Sequence, residues 1–128
     1  MSLYLDSADV DDARRAAALG FVAGATTNPA LVAHTGRPAI GVVAELVSIL
    51  DGAIFHQVTL SPGPDLDSEI DRFRAISRRV AFKMPCSLAY LSVVHKLTGE
   101  GVTCAVTGVY SPAQAYIAAE AGARYVIP

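Results

Sequence analysis

A lysine interrupts a strongly apolar run in the second half of the chain. The run reads Val80-Ala81-Phe82-Lys83-Met84-Pro85, and its proline ends it. A continuous apolar run bounded by breakers is typical of a strand buried on both faces of a parallel sheet. Burial disfavours the charged form of an amine, and a neutral lysine amine is the nucleophile of a Schiff-base enzyme. Alternatively, Lys83 packs its stem at a strand end while its ammonium reaches water.

Three polar residues in the first part of the chain have both a chemical and a structural interpretation. Asp6 either caps the first helix or holds a substrate hydroxyl and helps to stabilise an iminium. Thr26 and Asn28, in the run Thr26-Thr27-Asn28-Pro29, form either an ordinary turn between a strand and a helix or a recognition site for a polyol.

Two further candidates lie in later strands. Gln57 follows an apolar run, where a buried amide must find hydrogen-bond partners. Thr107 is a weak signal by itself because threonine is a favoured strand residue. The adjacent His56 alternates to the opposite face of its strand, so we interpret it as structural, and we do the same for His34 and His95.

The elements that must position these residues alternate between strand and helix about six times. The predicted strands are residues 3–5, 21–26, 53–58, 80–85, 102–107 and 124–127, and Gly24 in the second strand predicts a close backbone approach. Such alternation requires parallel strands joined by right-handed crossovers, in either a doubly wound sheet or a TIM (β/α)₈ barrel. No Gly-rich nucleotide-binding motif occurs, and the polar residues recur near the carboxyl ends of strands, where a barrel has its catalytic face. The α/β barrel is therefore favoured, with residues 1–128 as one domain that supplies about six β/α units.

Composition excludes several other classes of protein. Apolar residues make up 52% of the 128 residues and charged residues 17%, and the net charge is −2. These values fit a globular interior and leave no basic surface for nucleic acid or an anionic membrane. Cys86 and Cys104 are too few and too far apart for a disulfide framework or a metal site. We expect a cytoplasmic protein without a signal peptide or a membrane span.

Six segments together resemble the transaldolase family, and within it most closely the small fructose-6-phosphate aldolase type. They are Leu3-Tyr4-Leu5-Asp6-Ser7-Ala8-Asp9-Val10, Thr26-Thr27-Asn28-Pro29, Phe55-His56-Gln57-Val58, Phe82-Lys83-Met84-Pro85, Thr107-Gly108-Val109-Tyr110 and Ala121-Gly122-Ala123-Arg124-Tyr125-Val126-Ile127-Pro128. Each segment is weak alone, but their order and spacing are specific, and the resemblance extends from Leu3 to Pro128.

The resemblance implies a class I aldolase of carbohydrate metabolism. Lys83 is similar to the amine that condenses with a ketose or with a donor such as dihydroxyacetone or hydroxyacetone. Asp6 and Asn28 are similar to the residues that bind the donor hydroxyls and the iminium region, with Thr26 lining the same mouth. Gln57 and Thr107 are similar to the pair that positions a proton-shuttling water. No metal or organic cofactor is implied, the partner is a small sugar or sugar phosphate, and a homo-oligomer is expected.

The sequence also departs from the family pattern. Family members carry Glu-Gly where this chain has Ala89-Tyr90, and transaldolases carry an Asn at the position of Ala105. True transaldolases tend to have Glu at the position of Gln57, so the glutamine favours aldol chemistry on a free ketone over transfer of a dihydroxyacetone unit. These differences leave the donor, the acceptor and the phosphate requirement open.

The family resemblance would continue beyond Pro128 with an aromatic proton donor, a phosphate-binding Arg and two more β/α units. A fragment, a proteolytic product and a half-barrel completed by oligomerisation are the alternatives, and we favour a fragment. We therefore expect weak or absent turnover from the 128 residues by themselves. A transaldolase and a non-catalytic half-barrel for binding or assembly remain the competing hypotheses.

Overall fold

A computed structural model of the chain describes residues 2–128. Within these residues six strands alternate with six helices, which confirms the alternation predicted from the sequence. They divide into two compact units, each of which is described by itself. The first comprises residues 2–57 and Asp71–Val80, and the second comprises Val58–Ile70 and Ala81–Pro128.

The first unit contains three strands and three helices. In chain order these elements are β1 (Leu3–Asp6), α1 (Val10–Leu19), β2 (Val22–Thr26), α2 (Pro29–His34), α3 (Ala39–Ile49) and β3 (Ala53–Gln57). The strands pair in parallel in the order β1-β2-β3, with Asp6 opposite Thr26 and Thr26 opposite Phe55. A Cβ added to Gly24 would lie 2.1 Å from the carbonyl oxygen of Ala53, which confirms the predicted close approach.

Capping interactions fix the ends of the helices in the first unit. The Asp9 side chain caps α1 by accepting the N–H groups of Asp11 at 2.8 Å and Asp12 at 3.0 Å, and α1 ends at Gly20, whose φ of 76° is left-handed. At the end of α3, Arg79 donates to the carbonyl oxygens of Val47, Leu50 and Gly52, which have no partner within the helix. Asp9, and not Asp6, is therefore the N-cap of the first helix.

The second unit contains most of the remaining elements. In chain order they are α4 (Pro64–Arg74), β4 (Val80–Pro85), α5 (Leu88–Gly99), β5 (Cys104–Thr107), α6 (Pro112–Glu120) and β6 (Tyr125–Ile127). The strands pair in parallel in the order β4-β5-β6, with Lys83 opposite Ala105 and Ala105 opposite Tyr125. The bounds of β4 are those predicted from its apolar run.

The paired strands of each unit present two faces, because side chains alternate along a strand. In the first unit one face carries Tyr4, Asp6, Thr26, Phe55 and Gln57, and the rings of Tyr4 and Phe55 meet edge to face with centroids 5.7 Å apart. In the second unit Lys83 and Thr107 share one face.

The opposite faces are mainly apolar, and the one in the first unit also carries His56. They carry fully buried Ala25 and Ile54 in the first unit and fully buried Phe82, Met84 and Val106 in the second. The candidate site residues of the strands in each unit thus share one face.

Candidate active site

Asp6 and Thr26 form a hydrogen-bonded pair at the carboxyl ends of β1 and β2. The Thr26 hydroxyl donates to Asp6 Oδ1 over 2.8 Å, and the two residues are direct neighbours across the parallel strands. Asp6 is exposed and Thr26 is half-buried. The pair therefore presents a carboxylate and a hydroxyl that can exchange hydrogen bonds with the hydroxyls of a ligand.

The turn after β2 is built by Thr27 and Asn28. Fully buried Thr27 donates both its N–H and its hydroxyl to the carbonyl oxygen of Phe55, at 3.0 and 2.9 Å. Asn28 is the N-cap of α2, because its Oδ1 accepts the N–H of Leu31 at 2.9 Å, and Pro29 begins the helix. Asn28 consequently has the structural role considered from the sequence, and its NH₂ group is the part that can donate to a ligand.

Gln57 and His56 end β3 on opposite faces. Gln57 is half-buried and shares the face of Thr26, whereas His56 is 3% exposed and stacks on Phe73 with ring centroids 3.7 Å apart. His56 therefore packs as the structural residue that the sequence predicts. The amide of Gln57 lies at a strand end, where a catalytic face is expected.

Lys83 lies inside β4, two residues before the strand ends. It is 7% exposed and has fully buried Phe82 and Met84 as its chain neighbours. Its carbonyl oxygen accepts the N–H of Val58 at 3.1 Å. The residue as a whole is therefore largely removed from solvent, as the apolar run predicts.

Thr107 is placed near Lys83 by the pairing of β4 and β5. It lies opposite Pro85, two residues beyond Lys83 on the same face, and Ala105 is directly opposite the lysine. After Thr107 the chain turns at Gly108, whose φ is 72°, and Ser111 then caps α6 by accepting the N–H of Gln114 at 3.2 Å. Lys83 and Thr107 therefore belong to one polar face within the second unit.

Glu69 of α4 is a polar residue that we did not single out from the sequence. The residue is 2% exposed, and its carboxylate accepts three donors: the Thr59 N–H at 3.1 and 3.2 Å, the Thr59 hydroxyl at 3.1 Å and the Leu60 N–H at 3.2 Å. A signal existed, because Leu66, Glu69, Ile70 and Phe73 have the spacing of a helix face that packs on a core.

The segment after Lys83 contains the departures from the family pattern. Ser87 is the N-cap residue of α5 but makes no side-chain capping bond, and the Tyr90 hydroxyl donates to the carbonyl oxygen of Leu60 at 2.9 Å. Tyr90 is therefore a contact between α5 and the loop after β3.

The two cysteines are both free thiols. Burial raises the pKa of the Cys104 thiol to about 12, so at neutral pH it remains protonated and a poor nucleophile. Cys86, which follows β4, donates its N–H to the Thr107 carbonyl at 2.9 Å.

Among residues 2–128, no three His, Cys, Asp or Glu side chains are grouped so as to hold a metal ion. None of the helices in this range has the length and apolar character that a membrane crossing requires.

The placement of the predicted site residues follows from these contacts. Asp6 and Thr26 are brought together in the first unit by a direct hydrogen bond, and Lys83 and Thr107 share a face of adjacent strands in the second. Gln57 ends its strand on the polar face, and Asn28 is occupied in part by its capping bond.

Comparison with known proteins identifies the kind of protein to which these residues belong. The family model for transaldolase/fructose-6-phosphate aldolase matches residues 3–128. A probable transaldolase of Symbiobacterium thermophilum is 37% identical over all 128 residues, which cover 59% of that relative. Probable transaldolases of Desulforudis audaxviator and Clostridium perfringens are 40% and 38% identical, with 60% of each relative covered.

The chain thus spans about three fifths of the length of the curated relatives it matches. Its six strands and the helices between them correspond to about the first six β/α units of a TIM barrel, as predicted. The match over residues 3–128, together with the order of the strands and the polar residues that follow them, shows that this chain belongs to the transaldolase/fructose-6-phosphate aldolase family.

Proposed function

We propose that the full-length protein is a class I aldolase in which Lys83 forms a Schiff base with a ketose, or with a donor such as dihydroxyacetone or hydroxyacetone. The burial of Lys83 within an apolar strand carries this proposal, since a desolvated amine is the nucleophile that such chemistry needs. The family and the relatives named probable transaldolase support it.

In the proposed reaction, the Lys83 amine attacks the donor carbonyl carbon. The carbonyl oxygen leaves as water with two protons, and the product is a protonated imine. This iminium withdraws electrons from the adjacent carbon, which can then lose a proton or a carbon–carbon bond. The resulting enamine attacks an aldehyde in the synthetic direction or takes up a proton in the cleavage direction, and water finally releases the ketone.

The remaining candidates have supporting roles in this proposal. Asp6, with its hydrogen bond from Thr26, and the NH₂ group of Asn28 bind donor hydroxyls. Gln57 and Thr107 position the water that carries protons, as the family resemblance implies. No cofactor is proposed, because the iminium itself accepts the electron pair. A cytoplasmic homo-oligomer is part of the same proposal: the location rests on the composition of the sequence, and the oligomer rests on the resemblance.

Reductive trapping tests the central claim. The full-length protein is incubated with dihydroxyacetone and borohydride, and the adduct is mapped by peptide mass spectrometry. Lys83 and Lys96 are the two lysines of this sequence, and Lys96 is 59% exposed in its side chain, so it is an internal control for nonspecific reduction. An adduct on Lys83 that Lys83→Met removes supports the proposal, and a folded protein with an unmodified Lys83 contradicts it and favours the non-catalytic binding protein.

A transaldolase is the second candidate, and it is favoured by the names of the relatives. The two activities differ in the fate of the three-carbon unit. With fructose 6-phosphate alone, an aldolase releases free dihydroxyacetone, whereas a transaldolase retains it on the lysine until an aldose phosphate arrives. We expect free release, and we expect Gln57→Glu to raise the ratio of transfer to release. Transfer by the unmodified protein without free release would establish the transaldolase.

A further inference from the structure

The loop from Val58 to Leu60 lies between β3 and α4 and is held at several points. Thr59 and Leu60 are exposed residues, yet both of their N–H groups donate hydrogen bonds to the carboxylate of the buried Glu69. A backbone amide that leaves a strand needs a new acceptor, and a buried carboxylate is a strong one. Glu69 therefore fixes the path that the backbone takes out of β3.

The same loop contacts the elements that carry Lys83. The N–H of Val58, next to Thr59 in the chain, donates to the carbonyl oxygen of Lys83 at 3.1 Å. The Tyr90 hydroxyl on α5, the helix that follows β4, donates to the Leu60 carbonyl at 2.9 Å. The loop is thus tied to the Lys83 backbone at one end and to α5 at the other, with Glu69 in the middle.

We infer that Glu69 is a positioning residue for Lys83, acting through the segment Val58 to Leu60. This inference rests on the proposed function. Glu69 does not contact substrate in it, because both of its oxygens are turned to the loop and are 2% exposed with the rest of the residue. Tyr90, which stands where the family pattern has glycine, adds a second fixed point to the same loop.

The physical consequence concerns the rate of the chemical step. If the loop becomes mobile, the hydrogen bond from the Val58 N–H to the Lys83 carbonyl oxygen no longer holds the Lys83 backbone in a fixed position. The amine is then less well aligned with the donor carbonyl. A displacement of about 1 Å at reacting atoms can lower a rate by about 100-fold. Asp6, Thr26 and Asn28, to which the proposal assigns donor binding, make none of these loop contacts.

The test compares Glu69→Gln with Asp65→Asn in the full-length protein. Both changes convert an acid of α4 to its amide, but Asp65 is exposed in the first turn of the helix. For Glu69→Gln we expect Lys83 trapping and kcat to fall at least about tenfold, with KM for the donor within about twofold of the original value. We expect Asp65→Asn to match the unaltered protein.

Hydrogen exchange at the Thr59 and Leu60 amides shows whether the loop is released. Faster exchange there, with trapping at the unaltered rate, would overturn the inference, because Glu69 would then serve the loop alone. Equal loss in kcat and in donor affinity would overturn it too, since that pattern indicates general disruption.

Should Glu69→Gln fail to fold, Thr59→Val and Tyr90→Phe each remove a single contact of the loop. Slower trapping in either variant supports the inference, and unaltered trapping in both overturns it. If the unaltered protein and Asp65→Asn also give no Lys83 adduct, the proposed function has failed and this inference falls with it. That outcome differs visibly from a defect confined to the Glu69 and loop variants.

Discussion

The two units differ in the solvent exposure of their polar side chains. In the first unit Asp6 is exposed and hydrogen-bonded to Thr26 at the ends of neighbouring strands. In the second unit Lys83 and Glu69 are ionisable residues that are 7% and 2% exposed. The Asp6 carboxylate in the first unit is therefore accessible to water, whereas Lys83 and Glu69 in the second unit are largely removed from solvent.

Under the proposed function, this difference corresponds to separate roles for the two units. An exposed carboxylate pays little desolvation and can exchange water for the hydroxyls of a ligand, which suits binding. Burial disfavours the charged form of an amine, and the neutral form is the nucleophile. A buried amine therefore suits covalent chemistry. We therefore expect substitutions in the first unit to weaken donor binding and substitutions around Lys83 to stop the reaction.

The largest expected effect is that of Lys83→Met in the full-length protein. Methionine is similar in length and suits the apolar strand, so the protein should fold, but it lacks the amine that we propose as the nucleophile. We expect kcat to fall by about 10³-fold or more, as when other covalent nucleophiles are removed. The matched control is Lys96→Met, on the exposed side of α5, which should retain turnover. Appreciable turnover by Lys83→Met would show that the second unit does not supply the nucleophile.

The next effect tests the apolar face behind Lys83. Phe82 is fully buried, so Phe82→Ala leaves a cavity and should lower the free energy of unfolding by about 3–5 kcal/mol. Urea unfolding of the full-length protein measures the change. Tyr116→Ala, at a residue that is 69% exposed, should change the stability far less. Equal effects of the two variants would mean that β4 lacks the apolar support on which the burial of Lys83 depends.

A smaller effect is expected at the pair in the first unit. Thr26→Val removes the hydroxyl that donates to Asp6 while keeping the shape of the side chain. A hydrogen bond of this kind contributes about 0.5–1 kcal/mol net, so the KM for the donor should rise about threefold. Steady-state kinetics with kcat nearly unchanged would agree with a binding role. A large loss of kcat at constant KM would mean that this pair takes part in the chemical step.

Much of the fold could be predicted because local rules and tertiary packing agree. The run Val80 to Pro85 became β4 with the same bounds, and Gly20, Asn28 and Ser111 ended or began helices as their residue types favour. The predicted strand boundaries agree less well with the structure where a polar loop precedes the strand. The strand expected to begin at Val102 begins at Cys104. Backbone propensity alone does not determine where hydrogen bonding to a neighbouring strand starts.

The candidate site was less completely predictable, because its contacts join residues that are distant in the chain. The bond between Thr26 and Asp6 spans twenty positions, and a sequence pattern does not show which hydroxyl meets which carboxylate. Glu69 is one of several charged residues in α4, although its spacing from Leu66 places it on the buried face. Its partners lie in the loop before the helix, and only the structure reveals them.

The smallest expected effect concerns Asp9, an exposed acid of the first unit whose role is local. Hydrogen bonds from the N–H groups of Asp12 and Asp11 lower the pKa of Asp9 below its ordinary value of 3.8, and nearby Arg15 adds to this. A carboxyl whose pKa is lower in the folded state stabilises the fold above 3.8, and this contribution is lost as the pH falls through the folded pKa. We therefore expect Asp9→Ala to unfold at a lower urea concentration at neutral pH, with the difference shrinking below pH 3.8. Asp51→Ala, at another exposed acid, is the control, and a difference that persists unchanged in acid would mean that the charge of Asp9 does not stabilise α1.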